Sequence, residues 1–430
     1  MNDYSQMWSD LGIDIPSHNI LMTALPELYT DVYLSQPDRP QGMAYFDGLI
    51  SQLHGERIQE LLEHKQRGGK VLATMCVFVP EEIVLACGAI AVGLCGGIDW
   101  ATNEVEKVLP RNMCALIKSF MGFKLGKVCP YFEVADLVVG ETTCDGKKKS
   151  FEVLGDYIPV HVMETPQMKN PIDYQMWDAE LQRFIEVVEN LTGNKISAAS
   201  LQDGISRVNK KRKALQRLSA TRKADPSPIS GKDALLIYQT AFYDDIDRFT
   251  AKVNVLCDEL EQRISAAATQ HTVPDKLRIM VSGTPMAVPN WKIPHLIESA
   301  GGRIVFDEMC TGERYFQNLV AQPEGKSVAQ MVTDITRRSL EIDCACFTPN
   351  QVRIDKVIAK TVEYNVDGVI HYALQSCDPF TIEGFRMEKQ LKEAGIAIMR
   401  LETDYSQEDV GQLQTRIEAF LETLAERKGQ

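Results

Sequence analysis

Two periodicities alternate along this chain. Short apolar, β-rich runs over residues 70–79, 136–139, 158–163, 277–282, 303–306, 367–374 and 397–401 read as strands. Between them, apolar residues recur three and four apart, predicting helices over residues 54–66, 80 to about 93, from 110 onward, 147–154, 294–302, 384–394 and 407–428. Pro80-Glu81-Glu82 is a helix start, with proline in the first turn and acids at the positive end of the dipole. From about residue 173 to 270 the pattern is helical throughout, clearest over Leu181–Leu191 and Ile246–Ile264. The pattern predicts an α/β protein with two Rossmann-like, parallel-sheet domains. Their expected limits are an N-terminal helical segment over 1–68, a first α/β domain over 69–168, a helical connector over 169–275, and a second α/β domain with a closing helix over 276–430.

Length supports more than one domain, since 430 residues exceed an average one. The net charge of −13 argues against a nucleic-acid or anionic-membrane partner, both of which need a broad basic surface. The basic run Asn209-Lys-Lys-Arg-Lys-Ala-Leu-Gln-Arg217 interleaves leucine and alanine, so a solvated helix face is the stronger reading. The longest apolar stretch, Ile83–Ile98, is broken by glycines and cysteines and reads as a buried helix and loop, not a membrane span. The opening residues show no basic segment followed by an apolar one, so a cytoplasmic protein is expected.

In a reducing compartment the eleven cysteines must be core fillers, catalytic thiols or metal ligands. Two of them occupy matching places. Asp136–Asp145 and Asp367–Asp378 are each an apolar run that ends in Cys-Asp and opens a helix, which puts Cys144 and Cys377 at the carboxyl edge of a sheet. Cys114 sits in the first turn of a predicted helix, and a helix N-terminus stabilises a thiolate. Cys129 precedes Pro130, and Cys344-Ala-Cys346 places two thiols in a polar loop. Cys257, Cys87 and Cys95 lie in apolar contexts and read as core, Cys76 leans the same way, and Cys310 follows a strand with the core favoured over the crevice. The six remaining cysteines show neither zinc knuckles nor dense ferredoxin spacing. All-thiolate ligation scattered over the chain favours an iron–sulfur centre; unrelated thiols and thiol redox chemistry stay open as alternatives.

Several motifs in order carry a resemblance: Val-Pro-Glu-Glu-Ile at 79–83, Leu-Pro-Arg-Asn-Met-Cys-Ala-Leu-Ile-Lys at 109–118, Thr-Thr-Cys-Asp at 142–145, Gly-Thr-Pro at 283–285, Cys-Thr-Gly-Glu-Arg-Tyr-Phe at 310–316 and Ser-Cys-Asp-Pro-Phe at 376–380. From about residue 70 onward the chain resembles the 2-hydroxyacyl-CoA dehydratase and benzoyl-CoA reductase superfamily. The resemblance implies that Cys114, Cys144 and Cys377 hold a cubane cluster between the two α/β domains. Cys129, Cys344 and Cys346 are similar to the double-cubane branch, which implies six thiolates around an 8Fe-9S cluster in place of one 4Fe-4S cubane. It further implies a homodimer served by a separate homodimeric ATPase activator carrying its own iron–sulfur cluster. That activator delivers low-potential electrons for a small unsaturated substrate. A single-cubane (R)-2-hydroxyacyl-CoA dehydratase subunit and a non-catalytic electron-transfer or cluster-storage protein are the alternatives. Lys147, Lys148 and Lys149 could hold an anionic cluster or substrate, although a solvated face serves as well. His371 and Glu141 lie near the thiol-bearing strand ends but read as structural, and no CoA-binding signature stands out.

Overall fold

A computed structural model describes residues 3–94, 96–269 and 276–429. Cys95 and residues 270–275 lie outside the described residues. The chain is α/β, with two four-stranded sheets that are parallel throughout. The first holds β1 (Val71–Thr74), β2 (Ile90–Gly93), β3 (Leu137–Glu141) and β4 (Val160–Met163) in the order β2-β1-β3-β4. The second holds β5 (Leu277–Gly283), β6 (Gly302–Glu308), β7 (Gly368–Leu374) and β8 (Ile398–Thr403) in the order β6-β5-β7-β8. The two orders are the same, each with its topological switch between its two central strands. Strands β3 and β7 are buried along their whole length, as expected of parallel strands covered on both faces.

Two sequence expectations change here. The helix after Pro80 is only Glu81–Ala86, because Gly88 turns the backbone left-handed at φ +73° and the chain enters β2. The Ile83–Ile98 stretch therefore contributes a strand. The run at 70–79 pairs only over Val71–Thr74 and then loosens toward Pro80.

Four helices join the sheets: Pro171–Thr192, Ala198–Thr221, Gly231–Thr240 and Ile246–Thr269. The second touches both halves. Its Gly204 approaches the backbone of Glu82 so closely that a Cβ would lie 2.5 Å from the Glu82 carbonyl oxygen. Its Asn209 and Gln216 side chains donate to the carbonyls of Val320 and Phe316 in the second half, at 2.8 and 2.7 Å. The basic run on this helix is not a uniformly solvated face. Lys211 and Arg212 are buried and pair with Glu81 at 2.5 Å and Glu82 at 2.6 Å, whereas Lys210 and Lys213 face solvent. Tyr315, from the second half, donates to the same Glu81 at 2.5 Å. These pairs give the Pro-Glu-Glu motif a physical role, fastening the two halves to one helix. The N-terminal helices add to the seam, with Tyr29 and Tyr33 packed edge-on against Trp291. One apolar core consequently runs from the N-terminal segment through both sheets. No helix among the described residues is long and apolar enough to cross a membrane.

Candidate functional site

The carboxyl ends of both sheets open onto one cavity of about 660 Å³. Most of the cysteines that line it reach it from a strand end or a helix start. Cys76 follows β1, Cys144 caps the helix Asp145–Leu154 after β3, and Cys114 caps the helix Ala115–Leu125 in the β2–β3 crossover. From the second half, Cys310 follows β6, Cys344 and Cys346 lie in the β6–β7 crossover, and Cys377 caps the helix Asp378–Glu393 after β7. Seven of the described cysteines thus line a single cavity.

They fall into two groups. Cys114 and Cys377 are hydrogen-bonded across the seam, and Cys144 interacts electrostatically with both and, across to the second group, with Cys344. Cys76, Cys310, Cys344 and Cys346 interact among themselves. Cys129 is elsewhere: it is buried at the start of the short helix Pro130–Val134 and does not line the cavity. Cys87 and Cys257 are also buried away from it, and the Cys257 thiol faces the Ala214 carbonyl at 4.0 Å. Sequence reasoning missed Cys76 and Cys310. The available signal for both was their place just beyond a strand, and for Cys310 also the motif that continues through Arg314.

Electrostatics differ between thiols. A hydrogen bond from Cys377 lowers Cys114 to about 7, aided by the Leu116 and Ile117 amides at the helix start, and pushes Cys377 well up in turn. Cys346 does the same for Cys344, which falls to about 6 with help from the Arg314 guanidinium, while Cys346 rises. Burial raises Cys76 to about 12 and Cys310 and Cys144 to about 11. Such thiols ionise at neutral pH when a metal displaces their protons.

Behind Cys310, the Glu308 carboxylate at the end of β6 is held by Arg314 at 2.9 Å and Arg353 at 2.7 Å, and Arg314 donates to the Cys310 sulfur at 3.6 Å. The three consecutive lysines split. Lys148 and Lys149 are exposed and pair with Asp145 and Glu152 on their own helix. Lys147 instead is buried, lines the cavity and pairs with Glu141.

His371 lies outside the cavity lining, its Nε2 bonded to the Phe380 carbonyl at 3.0 Å. Burial, with Arg353 nearby, lowers it from 6.5 to about 4, so it is neutral in the folded chain. The unfolded chain takes up this proton first as pH falls, so the stabilisation is full above about 6.5 and is lost as pH drops toward 4. Urea midpoints should fall over that window, and His371→Gln should remove a part of the slope worth on the order of 3 kcal/mol.

Among the described residues no group of three or more His, Cys, Asp or Glu side chains is placed to hold a single metal ion. The cavity is lined by seven thiols, with the buried Lys147 among its lining residues. Soft, all-thiolate donors spread in this way fit a polynuclear iron–sulfur centre better than a lone zinc or copper ion.

The family described as "2-hydroxyglutaryl-CoA dehydratase, D-component" matches residues 76–424, a span that includes all seven cavity thiols. YjiM of Escherichia coli (strain K12) is 36% identical over 85% of this chain and 94% of its own length. The (R)-phenyllactyl-CoA dehydratase beta subunit of Clostridium sporogenes is 24% identical over 85% and 94%. A benzoyl-CoA reductase subunit of Thauera aromatica is 24% identical over 73% and 80%. With ordered motifs, matched sheets and a family match covering most of its length, the chain belongs to the 2-hydroxyacyl-CoA dehydratase and benzoyl-CoA reductase superfamily.

Proposed function

We propose that this protein is an iron–sulfur reductase in which a double-cubane cluster receives activator-driven, low-potential electrons and passes them to a small unsaturated substrate. The observation that carries the reading is the pair of thiol groups in one cavity. A single cubane held by three thiolates would leave the second group without a purpose. Cys114, Cys144 and Cys377 are assigned to one cubane, and three thiolates drawn from Cys76, Cys310, Cys344 and Cys346 to the other, six in all. In this reading Cys129 is left out of the ligand set, since it does not line the cavity. When bound, the cluster supplies one-electron transfer at low potential.

The chain's own residues do the rest. Helix-start amides at Cys114 and Cys144 favour thiolates, and the apolar lining of Ile117, Phe120, Phe242, Val288 and Phe380 keeps water from a strongly reducing centre. Arg314 donates to Cys310, a hydrogen bond of the kind that tunes cluster potentials. The electron source in this reading is a homodimeric ATPase activator with its own cluster, and the working unit is a homodimer. A single-cubane dehydratase subunit is the second reading, favoured by the named dehydratase relative.

Anaerobic iron and sulfide analysis separates the two: about eight irons per chain for the first, about four for the second. Turnover with the activator, ATP and a low-potential donor then separates both from a passive carrier, which would take up electrons without consuming substrate.

A further inference from the structure

Among the described residues, Lys147 is the one lysine that lines the thiol-bearing cavity. Lys147 is 9% exposed, lies one turn beyond Cys144, and its backbone N–H donates to the Cys144 sulfur at 3.4 Å. Its ammonium group approaches the Met75 carbonyl at 3.5 Å and pairs with Glu141. The two partners are not equivalent with respect to the cavity. Lys147 lines it, whereas Glu141 is fully buried on β3, is absent from the lining and keeps one carboxylate oxygen without a partner. The pair is therefore a dipole with its positive end toward the thiols. That end acts on both groups, on Cys114 in one and on Cys76 and Cys310 in the other.

We propose that Lys147 is the fixed counter-charge of the metal centre, held toward the meeting point of the two thiol groups by Glu141, and that this pair sets the centre's reduction potential without supplying a ligand. The proposal rests on the iron–sulfur reading above. Its physical basis is Coulombic. Each electron adds a negative charge to a site already rich in thiolate and sulfide. A cation lining the same poorly solvated cavity offsets part of that cost. Lys148 and Lys149, screened by water and paired on the helix surface, do not share the role.

The two members of the dipole carry opposite charge, so their removal predicts opposite effects. The experiment uses the anaerobically purified full chain as wild type, Lys147→Met, Lys147→Arg and Glu141→Gln. Iron and sulfide are counted first, and the midpoint potential is then read by titration followed by electron paramagnetic resonance. The expected result is unchanged iron, a more negative potential for Lys147→Met, a more positive one for Glu141→Gln and a near-wild-type value for Lys147→Arg. A Lys147→Met potential equal to that of wild type overturns the proposal. So does a shift of both variants in the same direction, the signature of general loosening. Should Lys147→Met lose its iron, Glu141→Gln decides alone: a positive shift supports the dipole and no shift ends it. A wild-type chain without iron overturns the functional reading beneath it, a result plainly different from iron present at an unmoved potential.

Discussion

Serine at position 114, 144 or 377 is expected to strip the protein of half or more of its iron, with loss of the corresponding paramagnetic signal. These three thiols come from two helix starts in the first half and one in the second, and Cys114 is hydrogen-bonded to Cys377 across the seam. A serine hydroxyl is a hard donor with a far higher pKa than a thiol, so it neither ionises nor binds iron comparably. Cys76→Ser and Cys310→Ser are expected to lower the iron content from about eight toward four if the second thiol group holds its own cubane. Two controls sharpen the result. Cys257→Ser and Cys129→Ser should leave iron intact, since both side chains are buried outside the cavity. Iron and sulfide counts on anaerobically purified variants read all of these outcomes. A Cys129→Ser chain lacking iron would restore the assignment that the family resemblance implies and remove the one made from cavity lining.

Arg212→Met is expected to destabilise the fold by about 3–5 kcal/mol. The Arg212–Glu82 pair is 2.6 Å long with side chains 3% and 1% exposed. Removing the guanidinium leaves a carboxylate buried without its counter-ion, and that orphaned charge dominates the cost. The double variant Glu82→Gln/Arg212→Met removes both charges and should recover much of the loss. Lys213→Met, one residue along on the solvent side, should stay within about 0.5 kcal/mol of wild type. Urea unfolding monitored by circular dichroism gives all three values. Equal midpoints for Arg212→Met and Lys213→Met would show that the long helix does not fasten the halves through its charges.

Much of this architecture was legible from local pattern. The runs ending at Cys144 and Cys377 announced strands that break into helices, because a strand buried on both faces is continuously apolar and a helix start favours a small polar or thiol side chain. What stayed hidden depends on residues far apart in the chain. Cys76 looked structural because nothing near it resembles a ligand motif, and only the second half brings Cys310 and Cys344 into its neighbourhood. Lys211 and Arg212 read as solvated because their partners lie 130 residues earlier. Lys147 looked like its two neighbours, and the difference is one of helix phase: its side chain turns inward beside β3 while theirs turn out. Strand β2 was masked by an apolar stretch whose helix stops at Gly88. The helices Val328–Leu340 and Gln351–Glu363, which frame the Cys344–Cys346 loop, went unrecognised for want of strong turn signals.

The clasp formed by Glu81, Glu82, Lys211, Arg212 and Tyr315 bears on how quickly charge can move through the protein. Walls fastened on both sides of a redox group rearrange little when its oxidation level changes. In the reading proposed above, a clasp that ties both halves to one helix would limit how far the surroundings of the centre shift when it gains or loses an electron.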